Sequence, residues 1–327
     1  MMHPIQQRLR ALAQDSPDLK DAAQVYEAIL PLLYDADLHA APVSITLDQA
    51  RTKMERGLPL LHDLDLEIDG QAVHELMLSL ARTVETIGEK NQRQRRWPPL
   101  PPHPGKFTAT PHGNGREDKD ALPRAMAARQ IRLALEEDKF DAGTLLLAVA
   151  AGESRTVMAA AQYLQLDPGM VWTLAQNAFK PALRAWCQQL TPGAAEISWH
   201  HGYCYICGAA ATLGELQEND QVKHLRCGQC GADWPFHRLK CLYCGNEDHN
   251  TLGYLYPEGQ REKMRVEVCD KCHGYLKVIA AFTPTPPEML PVEDLATLHL
   301  DYIAQEHGYI RGPVQLKPGE DFALAPE

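Results

Sequence analysis

Apolar residues recur every three or four positions through the first part of the chain. The clearest stripe lies within 70–91 and comprises Val73, Leu76, Leu80, Val84 and Ile87. This spacing puts the apolar side chains on one face and predicts an amphipathic helix. Similar stripes predict helices over 18–38, where Pro31 should kink or break the helix, and over 168–190. The pattern therefore predicts a mainly helical N-terminal region.

The helical pattern is interrupted by a stretch rich in proline and glycine. Residues 97–116 begin Trp-Pro-Pro-Leu-Pro-Pro-His-Pro-Gly and later contain Thr-Pro-His-Gly-Asn-Gly. A helix cannot run through so many prolines, because each removes a backbone donor and clashes with the preceding turn. We predict a long loop between two helical halves, and we regard it as a candidate docking surface for a partner protein.

The periodicity changes after Thr191-Pro192-Gly193, which we expect to end the helical region. Short runs rich in β-branched and aromatic residues follow, separated by turn residues. Tyr254-Leu-Tyr256, a Pro-Glu-Gly turn and Val266-Glu-Val268 predict a β-hairpin. A further strand is predicted over 275–282 and a last helix over 292–307.

The composition is that of a folded globular protein. The chain has 327 residues, of which 45% are hydrophobic and 23% are charged, and this length predicts about two domains. Lys and Arg number 32 against 43 Asp and Glu, which gives a formal net charge of −11. The acidic balance argues against a nucleic-acid-binding protein, which needs basic residues to contact phosphates.

Membrane insertion and secretion are not predicted either. The sequence has no run of about 18 apolar residues that could span a bilayer. Its first residues lack the apolar core of a secretory signal. We therefore expect a cytoplasmic protein.

The strongest chemical signal is the cysteine pattern. Eight of the nine cysteines form four Cys-x-x-Cys pairs, here called the first to fourth knuckles: Cys204 and Cys207, Cys227 and Cys230, Cys241 and Cys244, and Cys269 and Cys272. In a reducing cytoplasm such pairs are typical of metal ligands or redox centres rather than disulfides. The spacer lets one tight turn direct both sulfurs at one ion, and two turns complete a tetrahedral site. The sequence predicts two metal sites, each with four cysteine ligands.

The spacing leaves the pairing of the knuckles and the metal open. Consecutive pairing joins the first knuckle with the second and the third with the fourth. We favour it because each gap fits one hairpin, as in zinc ribbons and rubredoxin-like modules. Interleaved pairing joins the first with the third and the second with the fourth. A four-sulfur site suits zinc, which would be purely structural, and equally iron, which could change its oxidation state.

The residue after each knuckle bears on its backbone geometry. Gly208, Gly231 and Gly245 follow the first three knuckles. Glycine permits a positive φ there, which lets the chain curl around the metal. His273 stands at the equivalent position of the fourth knuckle, and histidine adopts that conformation less readily.

The other candidates for chemistry are weaker. Cys187 recurs with Trp186 and neighbouring leucines at helical spacing, which predicts a core residue rather than a nucleophile. His200 and His201 precede the first knuckle, and we expect them at the surface or beside the ligands, because eight cysteines already complete two sites. The sequence contains no phosphate-binding loop and no catalytic constellation, so we predict no catalytic residues and expect a protein that is not an enzyme.

These observations predict an α+β protein in three parts. A mainly α-helical domain occupies 1–195. Two small, β-rich tandem four-cysteine modules of the rubredoxin-like or zinc-ribbon-like type occupy 196–283, and a C-terminal helix and tail occupy 284–327.

Seven segments of the chain carry a family resemblance. They are Cys204–Gly208, Leu225–Trp234, Leu239–Gly245, Cys269–Lys277, Asp294–Leu298, Glu306–Arg311 and Gly57–Leu61. Together they resemble the family of the formate dehydrogenase accessory protein FdhE. The likeness is most specific from the first knuckle onward. Two departures from the family pattern are Tyr205, where proline is expected, and the Gly-Pro-Val run after Arg311.

The resemblance implies a function that residue spacing does not show. It implies a cytoplasmic protein that is required for active formate dehydrogenase of the exported, respiratory kind and that contacts its catalytic subunit before export. It also implies rubredoxin-like sites associated with iron, and all eight knuckle cysteines match those ligand motifs. We therefore expect an assembly factor holding two metal ions, with iron favoured and zinc permitted by the spacing.

Two other functions compete with this interpretation. A rubredoxin-like electron carrier or redox sensor would use an iron site for electron transfer. A nucleic-acid-binding ribbon protein is disfavoured, because residues 199–282 hold nine basic and ten acidic side chains. The expected partner is accordingly a protein, and neither nucleic acid nor a membrane is predicted.

Overall fold

The computed structural model describes six stretches of the chain: residues 2–34, 40–94, 124–150, 153–194, 197–218 and 220–312. The loop predicted at 97–116 lies outside them. The chain forms two compact units, one comprising Met1–Asp69 with Phe179–Glu327 and the other comprising Gly70–Ala178. The compositional boundaries near 195 and 283 stay predictions.

Ten α-helices lie within the described residues. They are α1 (Met2–Asp15), α2 (Lys20–Tyr34), α3 (Leu47–Glu55), α4 (Gly70–Gln94), α5 (Arg124–Glu136), α6 (Ala142–Ala150), α7 (Ser154–Leu164), α8 (Pro168–Ala194), α9 (Leu290–Ala296) and α10 (Leu298–Glu306). Helices thus predominate before the knuckles. Together with the strands described below, they confirm the predicted mixed α+β class.

The clearest stripe of the sequence forms α4. Val73 and Leu80 of that stripe are buried, as the helical periodicity requires. On another side of the helix, Glu85 pairs with Arg132 of α5, with 2.6 Å between Oε2 and Nε. These helices belong to the unit that comprises Gly70–Ala178.

Two helices continue through a proline at which the sequence predicts a kink, a break or an end. α2 continues through Pro31, and α8 continues through Pro192 to Ala194. A break at Pro31 therefore does not occur, and α8 ends one residue beyond the predicted Thr191–Gly193, because packing offsets the hydrogen bond that proline removes. Leu30 and Leu33, on either side of Pro31, are each only 1% exposed.

The predicted last helix is divided into α9 and α10. Thr297 lies between them with φ −101° and ψ 19°, outside the helical region. Its Oγ1 donates a hydrogen bond to the carbonyl oxygen of Glu293 at 2.7 Å. The side chain thereby caps α9, and the chain changes direction before α10 begins.

Seven strands form one sheet among the described residues. They are β1 (Leu213–Gln217), β2 (Val222–Arg226), β3 (Asp233–Pro235), β4 (Leu252–Leu255), β5 (Met264–Cys269), β6 (Gly274–Ala281) and β7 (Ile310–Arg311). The order is β3-β2-β1-β6-β5-β4, and β7 pairs with one end of β6. The predicted hairpin corresponds to the antiparallel pair β4 and β5, and the predicted strand after it is β6.

A parallel pairing unites the two halves of this sheet. β1, β2 and β3 are antiparallel neighbours, and so are β4, β5 and β6. β1 and β6 then run parallel, with Gly214 opposite Val278 and Gln217 opposite Ala281. The two tandem modules therefore share one continuous sheet.

Helices from both ends of the chain pack within the unit that carries the sheet. α1 and α2 contribute Ile5, Leu9 and Leu30 to a buried cluster, and α9 contributes Val292 and Leu295. A second cluster joins α10 to the sheet: Val266, Val268, Tyr275, Leu300 and Ala304. These contacts close a core between segments nearly 300 positions apart in the sequence.

Candidate metal centres

The eight knuckle cysteines come together in two groups of four. Site 1 comprises Cys204, Cys207, Cys227 and Cys230; site 2 comprises Cys241, Cys244, Cys269 and Cys272. Within each group all sulfur atoms lie within 4.8 Å of one another. The grouping is the consecutive one, and the interleaved alternative is not formed.

The separations of the sulfur atoms fit a tetrahedral ion. Two pairs in each site have Sγ–Sγ distances between 3.4 and 3.8 Å. A metal–sulfur bond of about 2.3 Å places the corners of a tetrahedron about 3.8 Å apart. A disulfide would need about 2.0 Å, and all nine cysteines are free thiols. The donor set therefore fits one zinc or iron ion in each site.

The two sites have the same layout along the chain. In each, one knuckle precedes the first strand of a module and the other connects the second strand with the third. The second knuckle follows β2, and the fourth begins at Cys269, the last residue of β5. Antiparallel pairing within the module brings the two turns to the same end of the sheet, which explains the consecutive grouping.

Three knuckles repeat one backbone pattern. The glycine after each knuckle donates its N–H to the carbonyl oxygen of the knuckle's first cysteine at 2.9–3.0 Å. The φ values of Gly208, Gly231 and Gly245 are 77°, 84° and 68°. The predicted left-handed turn is thus confirmed at all three. His273 takes the same conformation with φ 54°, although it has a side chain.

The fourth knuckle is held by a strand that the sequence analysis did not predict. Ile310 of β7 donates its N–H to the carbonyl oxygen of His273 at 2.8 Å. The pairing of β7 with β6 begins at Gly274, directly after His273. This local support compensates for the strain of a positive φ at a residue other than glycine.

Without a cation, neither site stabilises all four of its cysteines in the ionised, thiolate form. In site 1, burial raises the pKa of Cys230, whereas hydrogen bonds with neighbouring thiols hold the pKa of Cys227 well below its usual range. In site 2, a hydrogen bond with Cys272 lowers the pKa of Cys241 to about 5, and burial raises that of Cys244 to about 11. A divalent ion would supply the positive charge that lets all four thiols ionise.

Hydrogen-bond donors also reach the sulfur atoms. The backbone N–H of Ile206 donates to Cys204 Sγ at 3.4 Å. In site 2 the side-chain amide of Asn246 donates to Cys269 Sγ at 3.5 Å. Such donors stabilise thiolates around a bound ion. The sequence analysis did not single out Asn246, although it follows the third knuckle by two positions.

The segment Gly57–Leu61 braces the first knuckle. Leu60 and Leu61 donate their N–H groups to the carbonyl oxygens of Tyr205 and Ile206 at 2.7 and 3.0 Å. The hydroxyl of Tyr203 donates to the carbonyl oxygen of Gly57 at 2.7 Å. The family resemblance singled out this segment, but periodicity and spacing did not place it beside a knuckle.

Cys187 is buried, as helical spacing predicts, but it also lies beside site 1. Its thiol interacts with Cys230, and this contact lowers the pKa of Cys187. Thr191, one turn later, donates its hydroxyl to the carbonyl oxygen of Cys187 at 2.7 Å. The neighbourhood depends on how α8 packs, so no sequence signal could have revealed it.

The two histidines before the first knuckle are not among the candidate ligands. His201 stacks on Tyr203, with ring centroids 4.9 Å apart, and its carbonyl oxygen accepts a hydrogen bond from Trp234 Nε1 at 3.1 Å. His200 stacks on His237. Within the described residues, the candidate metal groups consist of cysteines alone.

The fold and the sites define a class: an α+β protein with tandem zinc-ribbon-like modules, each built on four cysteines, in one sheet. Residues 239–316 match the family described as FdhE, C-terminal domain. The chain is also similar to the crystal structure of the FdhE protein from Pseudomonas aeruginosa, with a TM-score of 0.56 and 22% identity, covering 98% of this chain and 96% of that one. This likeness shows the shared fold.

Curated relatives extend the match. A protein FdhE homolog from Stutzerimonas stutzeri (strain A1501) is 33% identical over 165 residues, which are 49% of this chain and 53% of the relative. One from Aquifex aeolicus (strain VF5) is 30% identical over 116 residues, 35% of this chain and 40% of the relative. Protein FdhE of Escherichia coli (strain K12) is 30% identical over 144 residues, which are 41% of this chain and 45% of the relative. The chain thus spans about half the length of these relatives.

The matches confirm the resemblance to the FdhE family that the knuckles indicated, and the matched C-terminal domain begins just before the third knuckle. Among the described residues, no helix has both the length and the apolar character needed to cross a membrane.

Proposed function

We propose that this protein is an accessory factor required for active formate dehydrogenase. The observation that carries the proposal is the match to FdhE over a region that contains one complete four-cysteine site, together with a second such site in the same sheet. The proposed role is not enzymatic, because a closed four-cysteine site leaves no open position for a substrate.

The eight knuckle cysteines are the proposed metal ligands. An ion in each site would supply structural cross-links and, if it is iron, a change of oxidation state. Iron is favoured by the resemblance to FdhE, and the sulfur separations suit zinc equally. The four turns and the hydrogen bonds to sulfur atoms orient the ligands around each ion.

The proposed partner is the catalytic subunit of formate dehydrogenase, bound in the cytoplasm before export. Affinity capture of the full chain from formate-respiring cells should recover that subunit, and loss of the gene should abolish formate dehydrogenase activity. A gene deletion that leaves this activity intact would overturn the proposal.

The Pro-rich stretch 97–116 is the proposed docking element, and it lies outside the described residues. Deleting it should abolish capture of the catalytic subunit while elemental analysis still finds two metal ions per chain. Unchanged capture by the deletion variant would reject this element and leave the accessory function standing.

A redox role is the second candidate. One cysteine of each site is partly exposed, Cys207 in site 1 and Cys244 in site 2. The other three cysteines of each site are buried. An exposed thiolate offers a short path for an electron to an iron ion. Reversible bleaching of visible absorbance on reduction would support this candidate, and colourless, zinc-loaded protein would remove it.

A further inference from the structure

A cavity of about 260 Å³ opens between the two metal modules. Its lining includes Gly228 and Gln229, which lie inside the second knuckle, and Tyr243, which lies inside the third. Lys180 of α8, Asp294 of α9 and Arg311 of β7 also line it. The volume is several times the roughly 30 Å³ that one water molecule occupies in the liquid, so a larger ligand fits.

The charges of Asp294 and Arg311 are already balanced within the protein. Arg311 Nη2 lies 2.8 Å from Asp294 Oδ1, and Lys277 Nζ lies 2.7 Å from the same oxygen. Lys277 Nζ also lies 2.6 Å from Asp301 Oδ2. Two cations and two carboxylates therefore form a closed, neutral network, of which Asp294 and Arg311 line the cavity.

Lys180 differs from these residues because its positive charge is not balanced by an ion pair within the described part of the chain. Among the residues that the structure describes, none places a carboxylate oxygen within 4.0 Å of Lys180 Nζ. Burial lowers the pKa of Lys180 to about 8, and the more distant charges of Cys227 and Asp294 counteract that effect only in part. Lys180 thus lines the cavity, and its ammonium group has no ion-pair partner from this part of the chain.

The neighbouring metal sites restrict the charge of a ligand. Four thiolates around a divalent ion leave each site with a net charge of −2, and a knuckle of each site lines the cavity. Both sites would repel a dianion twice as strongly as a monoanion, and a monoanion matches the single charge of the Lys180 ammonium. Ala210, Ala211 and Pro291 add an apolar wall that suits the carbon atoms of a small organic anion.

We propose that this cavity binds a carboxylate, which pairs with the ammonium of Lys180 while its carbon atoms pack against the apolar wall. The carboxylate is supplied either by a small free organic acid or by an acidic group of a partner polypeptide. This inference stands apart from the accessory function, since it depends on the cavity and its charges alone.

The test uses the full metal-loaded chain at constant ionic strength. Sodium acetate is titrated in one arm and an uncharged-ended Gly-Glu-Gly peptide in the other, and backbone amide shifts are followed by NMR. The expected result is a saturable shift of amides lining the cavity, Ala211 and Gly228 among them. Lys180→Met should weaken binding about tenfold or more, because a charge-assisted hydrogen bond is lost.

Two further variants control the experiment. Lys180→Arg keeps the charge and should keep the binding. Lys263→Met removes an exposed lysine that does not line the cavity, and it should leave the binding unchanged. Saturation by acetate supports a free acid as the source, and saturation by the peptide alone supports a partner polypeptide.

Three results would contradict the proposal. Absence of saturation in both arms would overturn the proposal. So would saturation that Lys180→Met leaves unaltered, because the carboxylate would then bind elsewhere. A Lys180→Met variant that loses metal but retains carboxylate binding would show that Lys180 serves only to balance the thiolates of site 1.

Discussion

Individual backbone positions decide whether each knuckle can close around an ion. Gly231 has φ 84°, and a Cβ atom added there would lie 2.7 Å from Pro287 Cβ. Gly259, in the turn after β4, has φ 72° but no atom within 4 Å of an added Cβ. The two glycines therefore separate the cost of a left-handed backbone from the cost of a steric clash.

Replacing these two glycines should have unequal effects on stability. Gly259→Ala should lower the free energy of unfolding by about 1 kcal/mol, the cost of a left-handed conformation. Gly231→Ala should lower it by about 1–3 kcal/mol more, because Pro287 must move. Urea unfolding of the metal-loaded proteins measures both. Equal losses of stability in the two variants would show that Pro287 moves aside at no cost in free energy.

The ligand cysteines and Cys187 should differ in metal content. Cys227→Ser removes one of four donors from site 1, so bound metal should fall from two ions per chain to about one. Cys187→Ser, the matched control, changes a buried neighbouring thiol and should leave two ions bound. Elemental analysis of purified protein measures both stoichiometries. Equal metal loss in the two variants would make Cys187 a ligand.

At the scale of elements, buried ion pairs fasten helices and strands to one another. Asp301 of α10 is 5% exposed, and its two carboxylate oxygens accept hydrogen bonds from Tyr275 and Lys277 of β6 at 2.7 and 2.6 Å. Lys277 is itself 1% exposed. Removing Asp301 would leave the Tyr275 hydroxyl without its acceptor and would leave Lys277 paired with Asp294 alone.

Asp301→Ala should therefore be destabilising. We expect the free energy of unfolding to fall by about 1–3 kcal/mol, the cost of leaving a buried hydrogen-bonding group without its partner, because Asp294 still pairs with Lys277. Glu306→Ala, on the exposed side of the same helix, should change it by less than about 0.5 kcal/mol. Chemical denaturation of both variants provides the measurement, and a loss for Asp301→Ala no larger than the control would refute the argument.

The strands of the first module should respond to acid through Asp233. Burial by itself raises the pKa of this carboxyl, but hydrogen bonds with His224 and Gln217 and the charge of Arg226 outweigh it, so the net pKa is below 3.8. The ionised form therefore stabilises the folded state at pH values above the unfolded pKa of about 3.9. That contribution is lost as the pH falls through the folded value.

Comparison with Asp233→Asn isolates this effect from other acid-sensitive groups. The stability difference between the wild type and the variant should be constant above about pH 5 and should shrink below about pH 4. Denaturation series at several pH values, with bound metal monitored, provide the data. A difference that grows on acidification would reverse the assigned sign.

At the scale of the whole molecule, the two compact units depend on the metals to different extents. Both candidate metal sites lie in the unit that contains the sheet, whereas residues Gly70–Ala178 contain only helices among their described residues. Binding of a structural metal contributes about 10–16 kcal/mol in small zinc modules. Much of the stability of the sheet should therefore come from the ions.

Removing the metals should affect one unit selectively. After chelation, amide hydrogen exchange should accelerate throughout the modules at 204–281, whereas the amides of α4 and α5 should keep their protection. Exchange measured by mass spectrometry before and after chelation gives the comparison, and reloading with metal should restore protection. Equal acceleration in both units would show that the metals support the whole chain.

Several features could be derived from the sequence because they are local. Two cysteines separated by two residues lie on one turn, so their identification as a candidate ligand pair follows from the chain alone. Gly208 and its counterparts, the α4 stripe and the β4–β5 hairpin are equally short-range, and the structure confirms each. The same local reasoning predicted a kink or a break at Pro31, where no break occurs, and a helix end at Thr191–Gly193, one residue too early, because the packing of distant segments outweighs the preference of one residue.

The sequence by itself thus determined the four candidate ligand pairs and the α+β class, since these arise from spacing and periodicity over a few residues. Only the tertiary structure decided which knuckles come together, that β1 and β6 merge the modules, and that Cys187 and Gly57–Leu61 adjoin site 1. It also placed Lys180 at a cavity between the modules. Each of these depends on contacts between residues far apart in the chain, for which the packing of the folded core is the only determinant.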